Sequence, residues 1–427
     1  MGLYLRRDSV PGMRILAVAL LALLCTVGLS AQERPQPGTI VTATYDGRVT
    51  TDGIVRAAGD FFDGRFEQPY PRNPVDEYKI WFWTTDADGS RAVVLARLYV
   101  PVSWADITGP VLAFGAGTTG VGDQCAPSLE ATFQGDHPYW YREDMLYYAG
   151  HGVISIIPDY VGFNDPDRPQ RYFSAAAEGH VMLDSLRAAR RFFVEYPDLL
   201  RSRFRPGNGN ATAGYSQGGH AALAAADMVT DYAPDIRLDG AIGFGSTNNV
   251  ETLMKTAAYY TPYILYTYWK LYGEDVVNPA DFLRARWIPT LEEDINGMCV
   301  WDFQYYYPFR PQDLYTPEFY EALVNGTLDQ AFPGLRRVLD ENLTGLSGHG
   351  IPALLVQGLD DIIILPQDQR VYAEQLRASG SEVILLELPA VRHRHTRPAG
   401  FVASLEFIRR VTSEADERQS AAAAAAD

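Results

Sequence analysis

Long hydrophobic runs are nearly missing from this 427-residue chain: ILAVALLALLCTVGL, Ile15 to Leu29, has no second segment like it. That run falls short of the ~20 apolar residues a bilayer-spanning helix needs, which argues against an integral membrane protein. Arg6, Arg7 and Arg14 precede it and the small residues Ser30 and Ala31 close it, the layout of a secretory signal peptide with cleavage expected near Ala31. A lipid anchor at Cys25 is disfavoured by the bulky Leu24 before it. Basic charge is also short, with 36 Lys and Arg against 53 Asp and Glu, a net −17. Loss of the leader, itself net positive, makes the remainder more acidic still. Such a surface repels phosphate backbones and anionic headgroups, which argues against nucleic acid and a stable membrane anchor. No internal repeat is present. Cysteine is scarce: of three, Cys25 leaves with the leader, and Cys125 and Cys299 remain. In an oxidising secreted or periplasmic compartment an even pair is expected as one disulfide, the alternative being two buried thiols.

What is present has a clear order. Residues 32–75 are polar and rich in Pro, Gly and Asp, and read as a lead-in. YKIWFWTT and AVVLARLYVP, joined by the turn DADGS, predict a hairpin; Asp86 and Asp88 there read as turn residues rather than calcium ligands, because the later ligands are missing. From residue 76 to 245 and again from 346 to 412, short apolar strands alternate with amphipathic helices. The strands are PVLAFGAG, GVISIIPDY, NATAGYS, LDGAIGFGS, PALLVQG and VILLELP. This pattern predicts an α/β fold, a mostly parallel sheet with helices on both faces. Residues 246–345 break the alternation with aromatic-rich stretches such as AAYYTPYILYTYWKLYG, expected as a mostly helical insertion that forms a small core of its own and walls an apolar pocket. The tail 413–427 has no apolar face and is expected to be disordered.

The chemistry centres on Gly214-Tyr215-Ser216-Gln217-Gly218-Gly219, where a strand pattern meets a helix pattern. A serine on such a sharp bend stands at the sheet edge over a helix N-terminus, and neighbouring side chains would collide with strand and helix. Its hydroxyl needs a base, and the base an acid, expected after later strands. LDDIIILP supplies Asp361, with Asp360 as the alternative; AVRHRHTR supplies His393 and His395. The HRH pair has no third ligand at metal spacing, so neither metal nor cofactor is expected. His137, His151, His180, His220 and His349 lie in helices or in segments feeding strands and read as structural. Two N–H donors must hold the oxyanion of a tetrahedral intermediate: Gln217, and Thr118 or Thr119 in the loop after PVLAFGAG. That loop also holds Gly115-x-Gly117-x-x-Gly120, the dinucleotide-binding spacing, but VGDQCAPS after it does not begin a helix.

Through GTTGVGDQCAPS, IPDYVGF, AAAEGHVMLDSLRAARRF, GYSQGG and the insertion bearing Cys299, the chain resembles the secretory lipase family of α/β-hydrolases, which has fungal and bacterial members. The resemblance implies an α/β-hydrolase fold with a lid-like helical insertion and a Ser-His-Asp ester hydrolase that needs no cofactor and acts on a small-molecule or lipid-like ester. It also implies an oxyanion loop just before the Cys-Ala-Pro-Ser element and a disulfide from Cys125 to Cys299. Many bacterial members carry His where this chain has Ala116, a departure in the support of the oxyanion loop. Two other readings use the same residues: a serine peptidase or amidase, for which Asp165 and Asp167 near the expected mouth leave room, and a hydrolase-shaped binding protein. Oligomeric state is not legible in the sequence.

Overall fold

Strands without polar side chains must be covered on both faces, and this chain arranges them so. The computed structural model describes residues 35–132, 139–166 and 168–426; the expected leader with Cys25, His137 and Asp167 lie outside them. From Pro37 onward the chain is one compact unit. Its centre is a nine-stranded sheet in the order β1-β2-β3-β5-β4-β6-β7-β8-β9. The strands are β1 Ile40–Val49, β2 Val75–Thr85, β3 Arg91–Pro101, β4 Ile107–Gly115, β5 Ile154–Pro158, β6 Phe204–Tyr215, β7 Gly240–Phe244, β8 Ala353–Gly358 and β9 Val383–Leu388. The first three run antiparallel, as does the β3–β5 pair; β5, β4 and β6 to β9 are mutually parallel. Every residue of β5, β7 and β8 is buried, as expected for strands covered on both faces.

The helices that follow these strands cover the two faces: α1 Tyr141–Gly150, α2 Ala175–Glu195 and α3 Gln217–Tyr232, then α6 Pro366–Ala378 and α7 Thr396–Ala426 after the insertion. Ser174 caps α2, its hydroxyl accepting the Ala177 N–H. Among the described residues no helix is long and apolar enough to cross a membrane.

Three features differ from the sequence reading or add to it. The lead-in contains an edge strand: β1 pairs antiparallel with β2, and its alternating burial marks one wet face. Surrounding Pro, Gly and Asp hide that strand in composition. The tail expected to be disordered instead continues α7 to Ala426; an alanine run, lacking an apolar face to bury, still has the highest intrinsic helix propensity. Between β7 and β8 the chain is helical, including α4 Thr261–Tyr272 and α5 Val300–Tyr306. Its aromatics, among them Tyr263, Tyr268, Phe303, Tyr315 and Phe319, form a second apolar cluster distinct from the one around the sheet.

Candidate active site

Ser216 sits between β6 and α3 with φ 53° and ψ −113°, a backbone conformation that non-glycine residues rarely adopt. The bend is possible because its neighbours lack side chains. A Cβ at Gly214 would lie 1.9 Å from the Gly218 carbonyl oxygen, and one at Gly218 would lie 1.8 Å from that of Gly115. The glycines therefore let β4, β6 and the start of α3 meet at one point. The strand–turn–helix read from the sequence is the one observed.

Two parallel strands further along, the loop after β8 carries Asp361, 2 % exposed. Its Oδ1 accepts the N–H groups of Ile363 and Ile364, both at 2.9 Å, which fixes the carboxylate from its own loop. Its Oδ2 accepts from His393 Nδ1 at 2.7 Å. The other ring nitrogen, Nε2, is thereby left as the face available for proton transfer. Asp360, the alternative acid, is exposed and lines the cavity, and among the described residues it makes no hydrogen bond to His393. Ser216 and His393 line the same cavity, with no hydrogen bond between them among the described residues; such contacts often close only when substrate arrives.

His395 requires a correction. Two residues from His393, it turns instead toward Arg65 and Phe66: Arg65 Nη2 lies 3.2 Å from its Nε2, and its ring is 5.9 Å from that of Phe66. Burial, then Arg394 and Arg65, push its pKa down to about 4. The 3₁₀ turn His393–His395 points the two imidazoles in different directions, so only His393 meets the acid. The remaining described histidines make their hydrogen bonds elsewhere. His151 bonds the Tyr147 carbonyl and His180 that of Thr85, while His349 Nδ1 accepts the Ile351 N–H. His220 is fully buried between the Glu178 carboxylate at 2.6 Å and the Asn342 carbonyl at 2.8 Å. The same Glu178 accepts from Gln217 Nε2 at 2.7 Å, so the Gln217 side chain is drawn into the core. As the first residue of α3, Gln217 has a backbone N–H with no partner inside the helix.

On the other wall, the loop after β4 is gripped by three tyrosine hydroxyls. Tyr160 donates to the Ala116 carbonyl at 2.7 Å, the Gly117 N–H donates to the Tyr141 hydroxyl at 2.7 Å, and Thr118 Oγ1 shares a 2.7 Å hydrogen bond with Tyr172. These tyrosines supply the polar support of the loop that holds Ala116, Gly117 and Thr118. Of the two threonines, Thr118 faces the cavity; Thr119 is 2 % exposed and its carbonyl accepts the Val300 N–H. Just beyond, Cys125 and Cys299 form the expected disulfide, closing a span of 174 residues between this loop and α5. The Cys-Ala-Pro-Ser element is pinned at its serine: Ser128 N–H and Oγ both donate to Asp159 of IPDYVGF, at 2.8 and 2.6 Å. Burial raises Asp159 to about 6.

The sequence did not reveal the hydroxyl clamp. Tyr160 lies inside a quoted motif, but nothing in local spacing marks Tyr141 or Tyr172 as partners of that loop. Arg397 was missed as well. It is buried against the Tyr141 and Tyr215 rings, its guanidinium 4.6 and 5.1 Å from their centroids, and pairs with Asp144 at 3.2 Å. Burial holds Asp144 up at about 6 despite that arginine.

Together these walls enclose a cavity of about 980 Å³ with Ser216, His393 and Thr118 on its surface, and Tyr259, Tyr260, Trp301 and Tyr305 of the insertion opposite. Aromatic lining around a few convergent polar groups is the make-up of a small-molecule site.

The secretory lipase family model matches residues 145–263, the stretch from the middle of α1 through Ser216 into α4. A search of curated protein sequences finds no match. Among solved structures, the rice cell wall degrading esterase LipA from Xanthomonas oryzae is 18% identical and superposes with a TM-score of 0.68 over 90% of this chain and 98% of its own. A putative hydrolase from Legionella pneumophila is 17% identical, TM-score 0.70, over 87% and 98%. Candida antarctica lipase A in its closed state is 20% identical, TM-score 0.60, over 89% and 83%. At these identities the structural likeness establishes the fold, an α/β-hydrolase, and the family match agrees with the resemblance read from the motifs.

Proposed function

We propose, taking as premise that this is a carboxylic ester hydrolase of the secretory lipase family, that Ser216 is its nucleophile, His393 its general base and Asp361 the group orienting the imidazole. His393 Nε2 takes the Ser216 proton as Oγ attacks the ester carbonyl, and the N–H groups of Gln217 and Thr118 receive the negative charge that develops on the carbonyl oxygen. The imidazole returns that proton to the departing alcohol, and a water activated the same way releases the acid from the acyl-enzyme. No step calls on a cofactor. The observation that carries the assignment is the 2.7 Å bond from His393 Nδ1 to an acid already fixed by two backbone amides, on a cavity shared with a strained serine.

Export is part of the proposal. The leader layout, the Cys125–Cys299 disulfide and the family description all favour a compartment outside the cytoplasm. A role for residues 246–345 as a lid is supported by the aromatics they lend to the cavity wall.

A fluorophosphonate probe followed by peptide mass spectrometry tests the nucleophile. The expected adduct sits on Ser216 and disappears in Ser216→Ala, along with turnover of short aryl esters. An unlabelled Ser216 in folded protein would favour a binding role, and faster cleavage of a matched anilide would favour the peptidase or amidase reading.

A further inference from the structure

Although the chain as a whole is net −17, the rim of its cavity is not acidic. Arg392, Arg394 and Arg397 line it, against the single carboxylate of Asp360. Arg397 is matched by Asp144, and nearby Arg65 by Asp63. Arg392 and Arg394 are exposed, and among the described residues neither has a carboxylate at ion-pair distance; Arg394 Nε donates to His395 Nε2 at 3.2 Å. These two guanidinium groups flank His393 in sequence, one on each side. In the reaction proposed above, the imidazole must reach the leaving oxygen, so residues beside it on the same turn border the alcohol half of the ester. A guanidinium presents a planar fork of donors that fits carboxylate and phosphate oxygens, and the adjacent aromatic wall supplies apolar area for whatever joins that anion to the ester.

We propose that the preferred substrates are esters whose alcohol moiety carries an anionic group, a carboxylate or a phosphate, held by Arg392 and Arg394 beside an aromatic wall. The inference rests on the hydrolase reading and adds a substrate class to it. Acylated hydroxy acids and acylated phospho-alcohols both meet this chemistry. The positive rim also draws anionic esters into the mouth of a protein whose overall charge would otherwise repel them.

The test compares kcat/KM for three acetyl esters of one phenol scaffold: 4-acetoxybenzoate, its neutral methyl ester, and 4-acetoxyphenyl phosphate. Each is run on wild type, Arg392→Gln, Arg394→Gln, the double Gln variant and the double Lys variant. The quantity read is the anionic-to-neutral ratio within each protein, so differences in leaving-group reactivity cancel between proteins. The ratio is expected to fall about tenfold or more in the double Gln variant, equivalent to roughly 1.4 kcal/mol, and to be largely retained in the double Lys variant. Whichever anion shows the larger drop names the source. For wild type alone the ratio should also decline as NaCl is raised from 0.01 to 0.5 M, a readout that survives if a variant folds poorly. A ratio that stays within about twofold across the Gln variants and across salt overturns the inference. If instead the neutral ester is untouched by wild type, or is cleaved equally by Ser216→Ala, the hydrolase reading itself fails; the two failures are thus distinguishable.

Discussion

The two walls that face Ser216 are built on opposite principles. On the acid side, Asp361 is held by N–H groups two and three residues further along its own loop, and it holds His393 from the adjacent strand's loop. On the side of the loop proposed to bind the oxyanion, residues 116–118 are held by Tyr160, Tyr141 and Tyr172, hydroxyls 44, 24 and 54 positions away. Local turn chemistry fixes the first wall, and tertiary packing fixes the second. Damage to the first should therefore be chemical and confined, whereas damage to the second should act through loop position.

The largest effect should come from the carboxylate. Asp361→Asn leaves the loop's shape but favours the wrong imidazole tautomer, and is expected to lower kcat/KM for a short aryl ester by about 10³ to 10⁴. Asp360→Asn should stay within about twofold on neutral esters. Equal losses in the two variants, measured by steady-state kinetics, would erase the distinction between them. On the other wall, Tyr141→Phe frees the Gly117 N–H and is expected to lower kcat about tenfold with KM nearly unchanged, the signature of a group positioned for the transition state rather than for binding. A change confined to KM would mean the hydroxyl serves the pocket wall instead.

Stability gives the next contrast. Replacing Cys125 and Cys299 by Ala removes a crosslink that closes a 174-residue span, and is expected to cost about 2–5 kcal/mol in denaturant unfolding. The smallest effect concerns His395. With its folded pKa lowered to about 4 against an ordinary value near 6.5, the unfolded chain binds the proton that the folded protein refuses between those pH values. This residue's contribution is therefore present above pH 6.5 and lost as pH falls toward 4. His395→Gln should flatten the decline of the thermal midpoint over that window, followed by calorimetry, while leaving neutral-ester turnover within about twofold.

The same contrast explains what was legible in the sequence. The mostly parallel sheet was legible in apolar strands alternating with amphipathic helices, though its strand order was not, and the serine bend was legible in glycines whose absent side chains the structure shows to be needed, as at Gly214 and Gly218. The loop that holds Asp361 was legible to within one residue, because its carboxylate is fixed by neighbours in sequence. Periodicity could not separate His393 from His395, since the turn that parts them is set by packing against Arg65 and Phe66. Nor could it find Tyr141, Tyr172 or Arg397, whose partners are assembled only on folding. The edge strand β1 was masked by polar flanks, and the helical tail by the rule that a segment with nothing to bury stays unfolded.

The bridge from Cys125 to Cys299 has a mechanical consequence. Cys299 is bound covalently to Cys125 in the loop after β4, and the next residue, Val300, donates its N–H to the Thr119 carbonyl of that loop. That end of α5 is thus a fixed pivot. If the helix swings to admit a bulky molecule, displacement must grow along it toward Tyr305, so the doorway widens at the exposed tip while the part nearest the reacting carbonyl keeps its register.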